Sequence, residues 1–208
     1  PNLDFNNLAS AALNELTEKQ DAREKALKNS RQVIRASANA IRAIHRDDLK
    51  LAKEMMHDTE AMVRETKNLL SGHLDLYFTG FTQDAQKEYT ECEALFAFIS
   101  KSPLPTPSDL GVEIAPYLNG LAEAASELRR YILDLLRKDD DARCEELMTI
   151  MDEVYNIMVV IDFPDALTLG LKRTTDALRA VLERTRGDLT LAVRHRRLED
   201  KLALYEKG

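Results

Sequence analysis

The 208-residue chain has 44% hydrophobic and 31% charged residues, which is typical of an ordinary soluble globular protein. Its net charge of −7 excludes, as an average, the basic composition of a nucleic-acid-binding protein. The sequence has no apolar run of 18 residues and no leader pattern, and its two cysteines are too few for a disulfide framework, so we expect a cytoplasmic protein without a membrane span.

Helix-forming residues dominate the chain, so we predict an all-α fold in a single domain of residues 1–208. Asp47 is predicted to cap the second helix, Pro164 to open the sixth, and Gly187 to mark the start of the last. The clearest break is the proline loop, KSPLPTPSDLG (101–111). The predicted first two helices cover about 4–45 and from the Asp47 cap to about 76. After a break at FTGF (78–81) comes a helix that contains KEYTECEALFAF (87–98), then helices over about 112–138 and 141–160, one from 164 and one from 187. The tight connections favour one bundle.

A row of cations follows the predicted first helix. Residues 23–46 hold seven cations against one acid, Glu24, a net charge of +6. At 100° per residue, five of these cations share a stripe about 60° wide. This basic stripe consists of Lys28, Arg31, Arg35, Arg42 and Arg46. Like charges on one helix face repel, so the stripe indicates an anionic partner, with a phosphate backbone as the sharpest candidate. A solvated basic face or an acidic partner helix stays open as the alternative.

A pair of acids, Glu88 and Glu91, lies on the helix that contains KEYTECEALFAF (87–98). The two are three residues apart and share their stripe with Leu95 and Phe98, which should be buried. Neighbouring carboxylates directed toward a protein interior repel and lose hydration unless they are protonated, paired or bridged by a cation.

A second pair of acids, Glu123 and Glu127, lies four residues apart on a later helix. Taken alone, such a pair is most often a solvated face. Gly120 lies about 60° from Glu123 on the helical wheel, where it could admit close approach of another helix. If the two acidic helices pack together, four carboxylates form a site for Mg²⁺ or Mn²⁺, which suits activation of water at a phosphoryl centre.

Three segments together resemble the translin superfamily, and specifically its translin-associated factor X (TRAX) branch. They are REKALKNSRQVIRASANAIRAIHR (23–46), GFTQDAQKEYTECEALFAFI (80–99) and PYLNGLAEAASELRRYILD (116–134). The likeness is strongest over residues 20–187, with 188–208 as a C-terminal helix. It implies a seven-helix (or six long plus short) antiparallel bundle that assembles into a closed octameric shell and binds single-stranded nucleic acid. For the TRAX branch it also implies a magnesium-dependent endoribonuclease site.

The family's functional residues can be carried over one at a time. The E-Y-x-E acids of the TRAX branch fall on Glu88 and Glu91, and the acids of its G-x-A-D-x-x-x-E-L segment fall on Glu123 and Glu127. The resemblance therefore implies these four as the catalytic metal ligands, with the basic stripe holding the RNA backbone. Two departures are evident. Position 123 is commonly Asp in that branch, and the proline loop replaces a long insertion, which indicates a compact prokaryotic or archaeal member.

Several functions stay open at this stage. The first is a metal-dependent endoribonuclease acting on single-stranded RNA, either as a homo-octamer or with a translin-like second subunit. The second is a translin-like shell that binds single-stranded RNA or DNA without catalysis. A third covers helical adaptors and other metal bundles. Glu54 and His57 form one Glu-x-x-His motif, but a ferritin-like site needs two such helices. A second basic patch, RHRR (194–197), contacts solvent, another subunit or RNA.

Overall fold

The computed structural model describes residues 4–205, which form nine helices and no strand. Six helices are long: α1 (Phe5–His45), α2 (Leu49–Leu69), α4 (Gly80–Ser100), α6 (Ile114–Leu136), α7 (Asp141–Val160) and α9 (Leu171–Tyr205). Three helices of four residues each lie in the connections: α3 (Leu74–Tyr77), α5 (Pro107–Leu110) and α8 (Asp165–Thr168). The predicted all-α bundle of six long helices plus short ones is confirmed.

The turn between α1 and α2 differs from the prediction by one residue. Asp48, rather than Asp47, caps α2, and its carboxylate accepts a hydrogen bond of 3.1 Å from the backbone N–H of Leu51. Asp47 cannot be the cap because it adopts the left-handed conformation that reverses the chain, with φ at 64°. The helix α2 also ends at Leu69, before the predicted limit at residue 76, and the separate helix α3 follows it.

The last helix begins earlier than predicted. The predicted start at Gly187 is wrong, because α9 continues through this residue without a break. Leu182 and Leu189 are buried on either side of it, and their packing outweighs the cost of a helical glycine, about 1 kcal/mol relative to alanine. Pro164 does not open a long helix but precedes the short α8. Residues 1–3 of the predicted domain and 206–208 of the predicted C-terminal helix lie outside the described residues.

The helices α4 and α6 occupy the centre of the bundle. The helix α4 packs against α1, α2 and α6, whereas α6 packs against α4, α7 and α9. Helices joined by short turns, such as α1 and α2, are antiparallel. The proline loop instead returns the chain to the start of α4, where the backbone N–H of Glu113 donates to the side chain of Gln86 (2.9 Å). The helix α6 therefore runs beside α4 in the same direction, which places its acids opposite those of α4. No helix within residues 4–205 has the length and apolar character needed to cross a membrane.

Candidate metal centre and nucleic-acid interface

The helices α4 and α6 come closest at Gly120. A Cβ atom at this position would lie 2.4 Å from the carbonyl oxygen of Lys87, 2.8 Å from Cβ of Thr90 and 3.0 Å from the backbone nitrogen of Glu91. No side chain fits such a space, so the absence of one in glycine lets the two backbones touch. The contact lies within one turn of Glu88 and Glu91 on α4 and of Glu123 on α6.

This close approach brings three of the four predicted acids together. Each of Glu88, Glu91 and Glu123 offers a carboxylate oxygen such that all three atoms lie within 4.8 Å of one another. Glu88 and Glu123 are partly exposed, whereas Glu91 is only 8% exposed. The cluster therefore has a buried floor and an open side.

The environment of Glu91 disfavours its charged form. Burial raises the pKa of this carboxyl to about 8, and the negative charges of Glu88, Glu123 and Glu127 act in the same direction. The Glu91 carboxylate forms no ion pair with any residue from 4 to 205. Glu91 is therefore mostly protonated at neutral pH unless a cation joins the cluster.

A lysine reaches the open side of the cluster. The Nζ atom of Lys87 lies 2.7 Å from a carboxylate oxygen of Glu123 and 3.3 Å from one of Glu88. Burial acts to lower the pKa of Lys87, but the hydrogen bond to Glu123 and the charges of Glu123 and Glu88 outweigh it, so the pKa is raised. Lys87 is therefore a cation at neutral pH and offsets part of the cluster's charge.

The fourth predicted acid, Glu127, stands apart from the other three. Its carboxylate lies 2.8 Å from Nε2 of His45 at the end of α1, so the pair bridges α1 and α6. The hydrogen bond from His45 lowers the pKa of Glu127 despite its partial burial, and the nearby charge of Arg130 contributes. The imidazole is almost fully buried, and its Nδ1 atom has no hydrogen-bond partner among residues 4–205. Glu127 is thus ionised at neutral pH and held by α1.

The residues present fit a divalent metal ion. Three carboxylate oxygens converge, which is the hard donor set that Mg²⁺ and Mn²⁺ prefer. Among the residues that the structure describes, Lys87 is the only cation that acts on the buried carboxyl of Glu91, and a divalent ion would stabilise the charged form of that carboxyl. We find Glu54 and His57 exposed on α2, and no group of three ligands within residues 4–205 includes them, so the second Glu-x-x-His helix that a ferritin-like site requires has no counterpart there.

The basic stripe lies on the exposed face of α1. All five side chains are exposed, and none forms an ion pair within residues 4–205. Lys28, Arg31 and Arg35 line a groove of about 490 Å³. Arg42 precedes His45 by three residues and so shares its face of the helix. One end of the stripe therefore runs past the His45–Glu127 bridge.

Comparison with known proteins decides the family. No protein-family model matches the chain. The structure of AfC3PO in complex with duplex RNA superposes with a TM-score of 0.84 and 31% sequence identity, and the match covers 90% of this chain and 97% of the AfC3PO chain. The chain belongs to the translin superfamily.

Two further solved structures and one protein of known sequence are also similar to this chain. A second structure of AfC3PO gives a TM-score of 0.84 at 30% identity, covering 90% of this chain and 98% of that one. The structure of apo-NeC3PO gives 0.79 at 18% identity over 91% and 97% of the two chains, which supports the fold alone. An uncharacterized protein of Methanocaldococcus jannaschii is 27% identical over 198 residues, which are 94% of this chain and 87% of that protein.

Two residues at the site of this translin-superfamily chain were not singled out by the sequence patterns. Lys87 could have been noticed, because it precedes Glu88 directly and Glu91 by four residues. His45 carries no such signal, because its partner Glu127 lies 82 positions away along the chain. The patch at 194–197 is partly explained by the fold, since Arg196 pairs with Asp139 at 2.7 Å and also with Asp141.

Proposed function

We propose that the chain is a metal-dependent endoribonuclease of the TRAX-like branch, which binds RNA along the basic stripe and cleaves it at the acidic cluster. The observation that carries this proposal is the convergence of Glu88, Glu91 and Glu123 around a buried carboxyl that lacks sufficient counter-charge. A purely structural cluster of this kind would lose hydration and gain little, whereas a catalytic metal site requires it.

We propose RNA as the anion that binds to the basic stripe. AfC3PO, which is 31% identical to this chain, is known in a complex with duplex RNA. The basic stripe offers five exposed cations that form no ion pair within residues 4–205, and such cations bind phosphate groups irrespective of base sequence. We propose single-stranded RNA as the substrate, because a strand that bends can bring its backbone from the stripe to the cluster. Duplex RNA is the comparison that any binding assay should include.

The residues divide the chemical work among them. Glu88, Glu91 and Glu123 would hold Mg²⁺, or Mn²⁺ in its place. The ion when bound would supply acidification of a water molecule and would offset charge on the phosphoryl oxygens. Glu127 stays ionised through its bond to His45 and adds its negative charge beside the metal-binding carboxylates. The basic stripe orients the phosphodiester, and its cations attract the strand before any chemistry occurs.

Assembly into a closed homo-oligomer is part of the same proposal, with an octamer as the expected form and the basic stripe facing the cavity. Large apolar side chains are exposed in two segments of the chain. They include Phe5, Leu8, Leu13 and Leu16 in α1, and Val160, Phe163 and Leu167 near α8. Groups of exposed apolar side chains are typical of interaction surfaces. Sedimentation of the purified protein at micromolar concentration should show one large species, and a well-behaved monomer would contradict the proposal. A mixed assembly with a translin-like subunit is the remaining form.

A second candidate function is RNA binding without catalysis. The observation that favours it is Lys87, because an ammonium group beside Glu123 and Glu88 can stabilise the acids without any metal. In that case the cluster would link α4 and α6 and the basic stripe would still bind RNA.

Cleavage of labelled RNA separates the two functions. Single-stranded and duplex RNA are incubated with the protein in the presence of Mg²⁺ or of EDTA, and products are resolved on a denaturing gel. We expect Mg²⁺-dependent cleavage that falls by orders of magnitude in Glu91→Gln, while RNA binding persists. Glu93→Gln is the matched control, because Glu93 lies on the same helix but beside Glu60, on another face. Binding without cleavage in every condition would favour the second candidate.

A further inference from the structure

The ammonium group of Lys87 binds carboxylates that a divalent ion would also bind. Its ammonium group lies within ion-pair distance of two of the three carboxylates in the cluster, at 2.7 Å from Glu123 and 3.3 Å from Glu88. The side chain is 24% exposed, so these contacts are only partly screened by water. Within residues 4–205, the ammonium group of Lys87 has no ion-pair or hydrogen-bond partner other than Glu123 and Glu88.

The backbone of Lys87 is fixed while its side chain is not. The carbonyl oxygen of Lys87 lies directly against Gly120 at the contact between α4 and α6, so the Cα atom cannot shift. The four-carbon stem carries a compact charge that rotates freely once its partners are taken. The ammonium can therefore leave the carboxylates without disturbing the helix that carries Glu88 and Glu91.

The charges at the site oppose simultaneous occupancy. A divalent ion and an ammonium group repel each other, and both draw on the negative charge of the same carboxylates. A divalent ion that binds to Glu123 must weaken or break the hydrogen bond from Lys87. The free energy needed to break that bond reduces the net free energy of metal binding, so the apparent affinity for the metal is lower.

We propose that Lys87 is a built-in competitor of the divalent metal, which sets the metal concentration at which the site fills. This inference rests on the proposed metal-dependent function. It gives Lys87 a regulatory role: the ammonium holds the acids together at low metal concentration, and it is released from them when the ion binds. The site then fills at a higher metal concentration than it would without the lysine.

Calorimetric titration with Mn²⁺ alone tests the competition without any reading of activity. The full-length protein is compared with Lys87→Met, which keeps the length of the stem and removes the charge, and with Lys87→Arg, which keeps the charge. Lys101→Met is the matched control, because Lys101 pairs with Glu146 at 2.8 Å and has no contact with the cluster. We expect Lys87→Met to bind Mn²⁺ about tenfold more tightly, ~1.4 kcal/mol, while the other two variants stay within about threefold of the parent.

The possible outcomes separate this inference from the proposed function. Tighter Mn²⁺ binding by Lys87→Met, with a lower half-saturating Mg²⁺ concentration for RNA cleavage, supports the competition. Equal or weaker binding by Lys87→Met, while the parent binds Mn²⁺ well, overturns the competition and leaves the metal site intact. If neither protein binds Mn²⁺, the metal site itself is refuted and the competition with it. Circular dichroism of each variant confirms that the helices are retained.

Discussion

Substitution of Gly120 by alanine tests the contact on which the whole site depends. The new methyl group would lie 2.4 Å from a backbone oxygen and 3.0 Å from a backbone nitrogen of α4, and 2.8 Å from Cβ of Thr90. None of these atoms belongs to the far end of a flexible side chain. Relief of the overlap therefore requires α4 and α6 to move apart.

The expected loss of stability follows from two opposing effects. Overpacking a well-packed interface costs about 1–3 kcal/mol. Alanine is a better helix former than glycine by roughly 1 kcal/mol, which offsets part of that cost. Because the nearest atoms are backbone atoms, the upper part of the range applies, and we expect a net loss of about 1–2 kcal/mol in the free energy of unfolding. For a chain of this length, such a loss lowers Tm by roughly 2–8 °C.

The same movement should disrupt the acidic cluster. Glu123 is carried by α6 one turn after Gly120, whereas Glu88 and Glu91 are carried by α4, so separation of the helices increases the spacing of their oxygens. We expect Mn²⁺ affinity to fall at least about tenfold in Gly120→Ala, which corresponds to ~1.4 kcal/mol. Thermal melts at one fixed protein concentration and calorimetric titration with Mn²⁺ provide the two measurements.

A second glycine provides the matched control. Gly187 is also helical, but nothing lies within 4 Å of a Cβ added there. Gly187→Ala should therefore raise stability by about 0.5–1 kcal/mol through helix propensity alone, without a change in Mn²⁺ affinity. If Gly120→Ala is as stable as Gly187→Ala and binds Mn²⁺ like the parent, the close approach of α4 and α6 is not what forms the site.

Two further predictions concern the surroundings of the site. The first reverses three charges of the basic stripe, namely Arg31→Glu, Arg35→Glu and Arg42→Glu. The triple variant should lose RNA binding in a filter-binding assay, while its helix content by circular dichroism stays that of the parent. If the RNA affinity of the parent does not fall with added salt, the stripe does not contact phosphate groups. The second removes the partly buried bridge between His45 and Glu127. His45→Ala should lower the free energy of unfolding in urea by about 1–3 kcal/mol, because it leaves the Glu127 carboxylate without its partner. The control, His57→Ala at an exposed position, should change the free energy of unfolding by less than about 0.5 kcal/mol. Equal effects of the two substitutions would show that the His45–Glu127 bond does not stabilise the packing of α1 against α6.

Much of the fold could be predicted because local signals decide it. The start of α7 at Asp141 follows from a cap, because the carboxylate of Asp140 accepts a hydrogen bond from the backbone N–H of Arg143 (3.1 Å). Glycine at position 187 misled the prediction, because tertiary packing of α9 overrides local propensity there. The prediction of helix ends failed where two neighbouring residues are equally suitable as caps, as with Asp47 and Asp48.

Only part of the candidate site could likewise be predicted from the sequence. Residues that share one helix, such as Glu88 and Glu91, can be placed on a common face from spacing alone. The direction of α6 relative to α4 cannot be obtained in this way, because the proline loop is long enough to allow either orientation. That direction decides that Glu123 joins the cluster and that Glu127 meets His45 instead. The division of the four acids into three and one is therefore a tertiary property.

The last prediction uses two acids of α4 that differ in their neighbours, the buried Glu91 and the partly buried Glu93. Burial raises the pKa of Glu91 to about 8 and that of Glu93 to about 7, both from an ordinary value of 4.5. The folded protein therefore retains protons on these groups that the unfolded chain releases once the pH exceeds about 4.5. Because the folded state binds more protons, stability falls as pH rises through this window, and the loss is complete above the folded pKa values. Each pKa unit corresponds to about 1.36 kcal/mol.

Glutamine at either position should remove this pH-dependent loss. We expect Glu91→Gln and Glu93→Gln to gain stability over the parent as pH rises from 5 to 8, by on the order of 2–4 kcal/mol at pH 8. The two variants should differ in their affinity for Mn²⁺. Mn²⁺ affinity of the parent should increase with pH up to about 8, since Glu91 must lose its proton to become a ligand. Glu93→Gln should retain that dependence, whereas Glu91→Gln should bind Mn²⁺ weakly at every pH. A flat stability profile in the parent would show that Glu91 is already ionised, and equal loss of Mn²⁺ binding in both variants would place the metal on the opposite face of α4.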